Sequence, residues 1–199
     1  MKIVGLTGSI AMGKSTVADF FRQAGISVFS ADDAVYQLYK SEPTLSLIDH
    51  TFPGVVENGK VNCQKLSEIL INDSKKLQTL EKIIHPLVQK KEKEFINTAR
   101  QQGEKLVVLD IPLLFETKGE KRVDSVIVVS APLAIQKERV MIRQDMNEKK
   151  FAFINARQIS DEKKRARADF IIDTGKDLEN TRQQVLFVIK ILLKNETNA

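Results

Sequence analysis

Five stretches of the chain are apolar with almost no polar interruption: Lys2–Thr7, Ile26–Ser30, Lys105–Asp110, Asp124–Ser130 and Ala168–Asp173. A strand with one wet face alternates apolar and polar residues; these do not. Each therefore predicts a strand buried on both faces of a parallel sheet. Between them the apolar positions recur with a helical period. Lys14–Ala24, ending before Gly25, predicts a helix, as do Ala31–Tyr39 and the segment from Pro132 to Arg143, whose proline suits a first helical turn. In Asp177–Leu193 the residues Val185, Val188, Ile189 and Leu192 fall at i, i+3, i+4 and i+7, one face of an amphipathic helix. Alternating strands and helices predict right-handed βαβ crossovers and an α/β fold with a doubly wound, five-stranded parallel sheet.

Two stretches exceed that minimal plan. Between the second and third strands lie about 70 residues, far more than a crossover needs. Their pattern is mostly helical: Thr44–Thr51, Gln64–Ile71, and a long run from Ser74 to Gln102 expected to break at His85–Pro86. This predicts a helical insertion over residues 41–102. Residues 145–167 are polar, basic and helix-prone and predict a mobile lid. The remainder, residues 1–40, 103–144 and 168–199, forms the core.

The chemistry is concentrated at the end of the first strand. Gly8-Ser9-Ile10-Ala11-Met12-Gly13-Lys14-Ser15 fits G-x-x-x-x-G-K-[ST]. Glycines permit backbone angles and close approaches that other residues resist. Successive N–H groups then face one concavity at the positive end of the next helix and hold phosphate oxygens. In that arrangement Lys14 reaches the outer phosphates and the Ser15 hydroxyl ligates Mg2+. The preceding strand and following helix are the context the pattern requires.

Other candidates carry competing readings. Ser30-Ala31-Asp32-Asp33 follows the second strand, where an acid takes a proton from an acceptor or orders magnesium; equally, any of Ser30, Asp32 and Asp33 would cap the next helix. Asp110 ends the third strand, as a magnesium-supporting acid acting through water or as a strand-end cap. Arg139 and Arg143 share a helix face, suited either to polyphosphate or to solvent. His85 reads as structural or functional, and no Cys/His cluster has zinc spacing.

Composition narrows the field. The net charge is +5 over 199 residues, which favours anionic ligands in general. The basic residues are dispersed, and there is no tryptophan and no aromatic-interleaved basic stripe, so the expectation is no nucleic-acid partner. No apolar run is long enough to span a bilayer, no signal peptide is read, and one cysteine, Cys63, excludes an internal disulfide. The expected setting is the cytoplasm, without membrane association.

The chain resembles the dephospho-coenzyme A kinases along nearly its whole length. The resemblance rests on Ile3-Val4-Gly5-Leu6-Thr7-Gly8-Ser9-Ile10, Ala31-Asp32, Ile84-His85-Pro86, and Asp110-Ile111-Pro112-Leu113-Leu114-Phe115-Glu116. It continues through Arg139-x-x-x-Arg143, Gln158 and Ala168–Asp173. It implies a P-loop nucleotide-binding core, a coenzyme A-binding helical insertion and a lid. It further implies ATP-dependent phosphorylation of the ribose 3′-hydroxyl of dephospho-coenzyme A, with Mg2+ and no tightly bound organic cofactor. By the same resemblance Asp32 is the general base, with Lys14 and Arg139 as further catalytic groups. Gly8, Ala11, Met12, Gly13, Lys14, Ser15, Thr16, Arg143 and Gln158 bind ATP. His85, Asp110, Pro112 and Leu113 serve the acceptor. The expected assembly is a monomer or weak oligomer.

Three departures stand out: alanine at Ala11 and tyrosine at Tyr36, where the family carries glycine and often arginine, and Thr174 in place of asparagine. Ala11 is expected to supply its N–H with a negative φ. Rival readings are a kinase of another small hydroxyl acceptor, a nucleic-acid-dependent P-loop ATPase, and a nucleotide-binding module without catalysis.

Overall fold

A computed structural model describes residues 1–71, 73–142 and 148–194, leaving aside the side chains of residues 148–150 and 152. It divides into two compact units, Met1–Phe29 with Thr98–Ala199, and Ser30–Asn97.

The first unit is built on a five-stranded sheet. Its strands are β1 (Lys2–Gly8), β2 (Ser27–Ser30), β5 (Leu106–Asp110), β6 (Ser125–Ser130) and β7 (Phe170–Asp173), in the order β2-β5-β1-β6-β7. β1 pairs in parallel with β5 and β6, and β6 with β7. The central strands are buried along nearly their whole length, which explains the missing polar alternation. Helices α1 (Lys14–Gln23) and α9 (Leu178–Lys194) supply Val17, Phe21, Val185, Val188 and Leu192 to a core shared with Val4, Leu6, Val108, Ile127 and Ile172. Each large side chain buried there contributes about 1.5–3 kcal/mol. The register places Leu6 beside Asp110 and Gly8 beside Val129, so the ends of three strands meet where the chain leaves β1. Also in this unit are α6 (Leu133–Met141), α7 (Glu148–Ala156) and α8 (Asp161–Arg165).

The second unit contains α2 (Ala31–Leu38), α3 (Thr44–Thr51), a short hairpin of β3 (Val56–Glu57) and β4 (Lys60–Val61), α4 (Cys63–Ile71), and most of α5 (Ser74–Gln101). Ile48, Phe52, Val55, Leu66, Leu80 and Ile84 form its core. The hairpin turns on Asn58 and Gly59, both at positive φ, as its tight turn requires.

The expected break at His85–Pro86 does not occur, since α5 runs unbroken with Pro86 inside it. A proline costs an interior helix about 3 kcal/mol by removing one hydrogen bond and crowding the carbonyl four residues back. Here Lys82, whose carbonyl loses its donor, and Pro86 are both exposed, so the break in the hydrogen-bond ladder lies on the solvent side of the helix. Leu80 and Ile84 before the proline and Val88 after it pack on the same core and hold the helix straight through.

Candidate active site

The loop after β1 is shaped by close approaches. A Cβ on Gly8 would lie 2.6 Å from the Val129 carbonyl oxygen, so strand packing by itself requires this glycine. Gly13 has φ +86 at the N-cap of α1; a Cβ there would meet Thr174 Oγ1 at 3.0 Å. Between them the Met12 N–H donates to the Ser9 carbonyl at 3.2 Å, closing a turn. Ala11, third in that turn, has φ +60. The expectation of a negative φ was wrong. A turn with positive φ only at its third residue is type II, which favours glycine at that position. Left-handed alanine costs roughly 1–2 kcal/mol, so its surroundings must enforce the geometry.

Those surroundings are side chains from α6, from the segment after α7 and from the residue that follows β7. Gln136 Nε2 donates to the Ile10 carbonyl at 2.9 Å, while the Ile10 N–H donates to Gln158 Oε1 at 3.1 Å. The Thr174 hydroxyl donates to the Met12 carbonyl at 2.8 Å. Arg139 in turn donates to Thr174 Oγ1 at 3.0 Å and to its carbonyl at 2.7 Å. Thr174 thus links Arg139 to the loop, and its buried position explains why a short hydroxyl serves there. Arg143 lies outside the described residues.

Lys14, the first residue of α1, pairs with Asp110 at the end of β5, and both side chains are largely sequestered from solvent. Ser15 is exposed on the first helical turn and Thr16 is half-buried. Thr7, at the end of β1, donates its hydroxyl to the Pro112 carbonyl at 3.0 Å, fixing the chain just beyond Asp110. Leu113 is half-buried beside it. A cavity of about 340 Å3 opens along the loop, with Met12, Ala131, Leu133, Gln136, Arg165 and Asp173 in its wall.

Phe115 and Glu116, at the end of the D-I-P-L-L-F-E string, help to anchor residues 159–167. Glu116 Oε1 accepts the Ile159 N–H at 2.8 Å and stands 3.1 Å from Lys164 Nζ, an ion pair without hydrogen-bond alignment. Lys164 is fully buried. Arg167 reaches Glu120 at 2.7 Å and lies over the Phe115 ring at 4.2 Å. Ser130 Oγ donates to Asp161 at 2.7 Å. Breaking one side of such a buried pair costs about 3–5 kcal/mol, because the other charge is left desolvated. The second half of the expected lid is therefore tied to the core by its own side chains.

In the helical unit, Ser30 caps α2, its hydroxyl accepting the Asp33 N–H at 3.1 Å. Of the three candidate caps, Ser30 takes the task. Asp32 is left exposed on the first turn, its carboxylate with no hydrogen-bond or ion-pair partner among the described residues. Tyr36 lies one turn further along the helix, with Lys40 Nζ 3.6 Å from its ring centroid; a hydrogen bond from Lys40, then its charge, lowers the phenol pKa. Burial pushes the Tyr39 phenol up to about 12. These residues line a cavity of about 330 Å3 closed by Lys60, Asn62 and Cys63 of the hairpin and α4. His85 is exposed on α5.

A glycine-lysine loop between a central parallel strand and its helix, on a sheet of this order, defines a P-loop kinase. The same fold is seen in shikimate kinase from Aquifex aeolicus, at a TM-score of 0.52 and 15% identity over 99% of each chain. The chain belongs to the dephospho-CoA kinase family, whose model matches residues 2–180. It is 89% identical over 98% of its length to a dephospho-CoA kinase of Bartonella henselae, covering all of that protein. It is 48% identical to one from Brucella melitensis, across 95% of this chain and 94% of the other. A Thermus thermophilus crystal structure superposes at a TM-score of 0.83 with 29% identity, over 96% of both chains.

Proposed function

We propose that this chain transfers the γ-phosphoryl group of ATP to the ribose 3′-hydroxyl of dephospho-coenzyme A, in the cytoplasm. The observation that carries the reading is the loop from Gly8 to Ser15, with Lys14 held at the end of β5, in a chain matched by the dephospho-CoA kinase model. The loop N–H groups of Ala11, Gly13, Lys14, Ser15 and Thr16, reached through the tight packing at Gly8, bind the donor phosphates, while Met12 shapes the loop with its own N–H on the Ser9 carbonyl. Gln158 supports them from outside.

The residues fit Mg2+. Ser15 offers a hydroxyl and Asp110 a carboxylate, hard oxygen donors of the type this ion selects. Among the described residues no group of three or more His, Cys, Asp or Glu could hold a metal, so the ion is expected to ride on the nucleotide phosphates. Ser15 would ligate it directly and Asp110 through water. Bound there, it neutralises charge on the β- and γ-oxygens.

The rest is done by side chains. In the reaction the bond from the γ-phosphorus to the β-bridging oxygen breaks as a bond to the 3′-oxygen forms. Asp32, uncommitted because Ser30 is the cap, takes the hydroxyl proton. Lys14 leaves Asp110 for the phosphates, and Arg139 adds its remaining N–H donors while Thr174 keeps it oriented. Catalysis is then positioning and fixed charge. His85, Asp110, Pro112 and Leu113 serve the acceptor side, with Pro112 held rigid by Thr7.

Steady-state kinetics with dephospho-coenzyme A, adenosine, AMP and a pantetheine-truncated analogue test this reading. Dephospho-coenzyme A is expected to exceed adenosine at least about 100-fold in kcat/KM, because binding energy from the remote arm positions the hydroxyl. Equal values for adenosine would make the protein a nucleoside kinase instead.

A further inference from the structure

We propose that Gln136 is a positioning residue for the donor nucleotide: it holds the Ile10–Ala11 peptide plane so that the Ala11 N–H faces the phosphates. The inference rests on the ATP-binding reading of the loop.

Turns of types I and II place their first and last residues alike and differ mainly by rotation of the central peptide through about half a turn. In the turn Ser9–Met12 the central peptide joins Ile10 to Ala11. With alanine at the third position the intrinsic preference is type I, with negative φ. The loop nevertheless has φ +60 at Ala11, so something outside the turn selects the other peptide orientation.

Gln136 is placed to do so. Its Nε2 donates to the carbonyl of that peptide, and its side chain is buried, so the contact is sheltered from water. In a trans peptide the C=O and N–H point in opposite directions. Fixing the Ile10 carbonyl toward α6 therefore turns the Ala11 N–H away from it, and none of the described residues accepts a bond from that N–H. The peptide on the other side of Ile10 is pinned independently, through its N–H on Gln158. Gln136 on α6 and Gln158 beyond α7 therefore hold the two peptides of the same loop residue. Without Gln136 the central peptide flips, Ala11 relaxes to negative φ, and one phosphate donor is lost.

The test is a double-mutant cycle read as the KM for ATP at saturating acceptor, with calorimetric ATP binding alongside. Gln136→Met keeps side-chain volume and removes the donor; Gln136→Asn keeps the amide and shortens its reach, and is the second probe should the first fold poorly. Either change is expected to raise the KM for ATP about tenfold, with the KM for the acceptor nearly unchanged. Ala11→Gly removes the bias against positive φ. In that background Gln136→Met should cost under about threefold. A residue that merely packs α6 would cost the same in both backgrounds. That result, or a KM for ATP within about twofold of wild type in both Gln136 variants, overturns the proposal. Failure of the unaltered protein to bind ATP would instead overturn the loop reading itself, and this inference with it.

Discussion

Lys14→Ala lowers the rate of phosphoryl transfer by at least about 10²–10³-fold, the range expected when one preorganised donor to a transition-state anion is removed. Lys14 contributes a point charge rather than packing, and it pairs with Asp110. Removing it leaves Asp110 short of one counter-charge, so the melting temperature falls as well. The kinetic and structural losses are separated by assaying well below the variant's own melting midpoint. A variant that keeps more than about a tenth of the wild-type rate, against the expected loss, shows that the loop does not hold the transferred group.

Asp32→Asn costs about 10²–10⁴ in kcat, the usual worth of a general base, with ATP binding little changed. The change is nearly isosteric and the side chain is exposed, so stability should hold. The control is Asp33→Asn. Asp33 gives its N–H to the Ser30 hydroxyl, and that backbone contact survives the substitution. Its effect should be mild. Loss of activity at Asp33 with a normal Asp32 variant moves the base by one residue along α2.

The sheet was legible because its strands are buried on both faces and short enough to stand out between polar helices. Val107-Val108-Leu109 and Val126–Val129 admit few other readings. The loop was legible because its pattern and its flanking elements agree. The conformation of Ala11 was not, because what enforces it lies far along the chain. A glutamine at position 136 of an amphipathic helix reads as solvated surface, and nothing local announces that it turns inward to Ile10. Lys164 is a sharper instance. It stands in Asp161-Glu162-Lys163-Lys164-Arg165, a charged run that reads as a wet face, yet it is fully buried beside Glu116. Short elements failed for another reason. Asn58-Gly59 is a hairpin signal, but strands of two residues offer no alternation to confirm it. Pro86 failed in the opposite sense, since the local penalty was real and packing on both sides exceeded it.

The position of β1 in the sheet bears on how the chain is made. β1 is synthesised before the strands it pairs with, and those come late: Lys2 pairs with Leu106 and Val4 with Ser125. At ordinary rates of synthesis the strand that carries the phosphate loop waits on the order of ten seconds, apolar and unpaired, for its neighbours. Residues 30–97 emerge in that interval and can close their own core of Ile48, Phe52, Leu66 and Ile84 from nearby segments. Local contacts form faster than distant ones, so the helical unit folds first and the sheet assembles around a strand made long before. Pulse-labelled hydrogen exchange during refolding should show protection in the helical unit ahead of Lys2–Gly8, and simultaneous protection would refute that order. The segment at greatest risk of aggregation in a newborn chain is then the one on which the enzyme's chemistry depends.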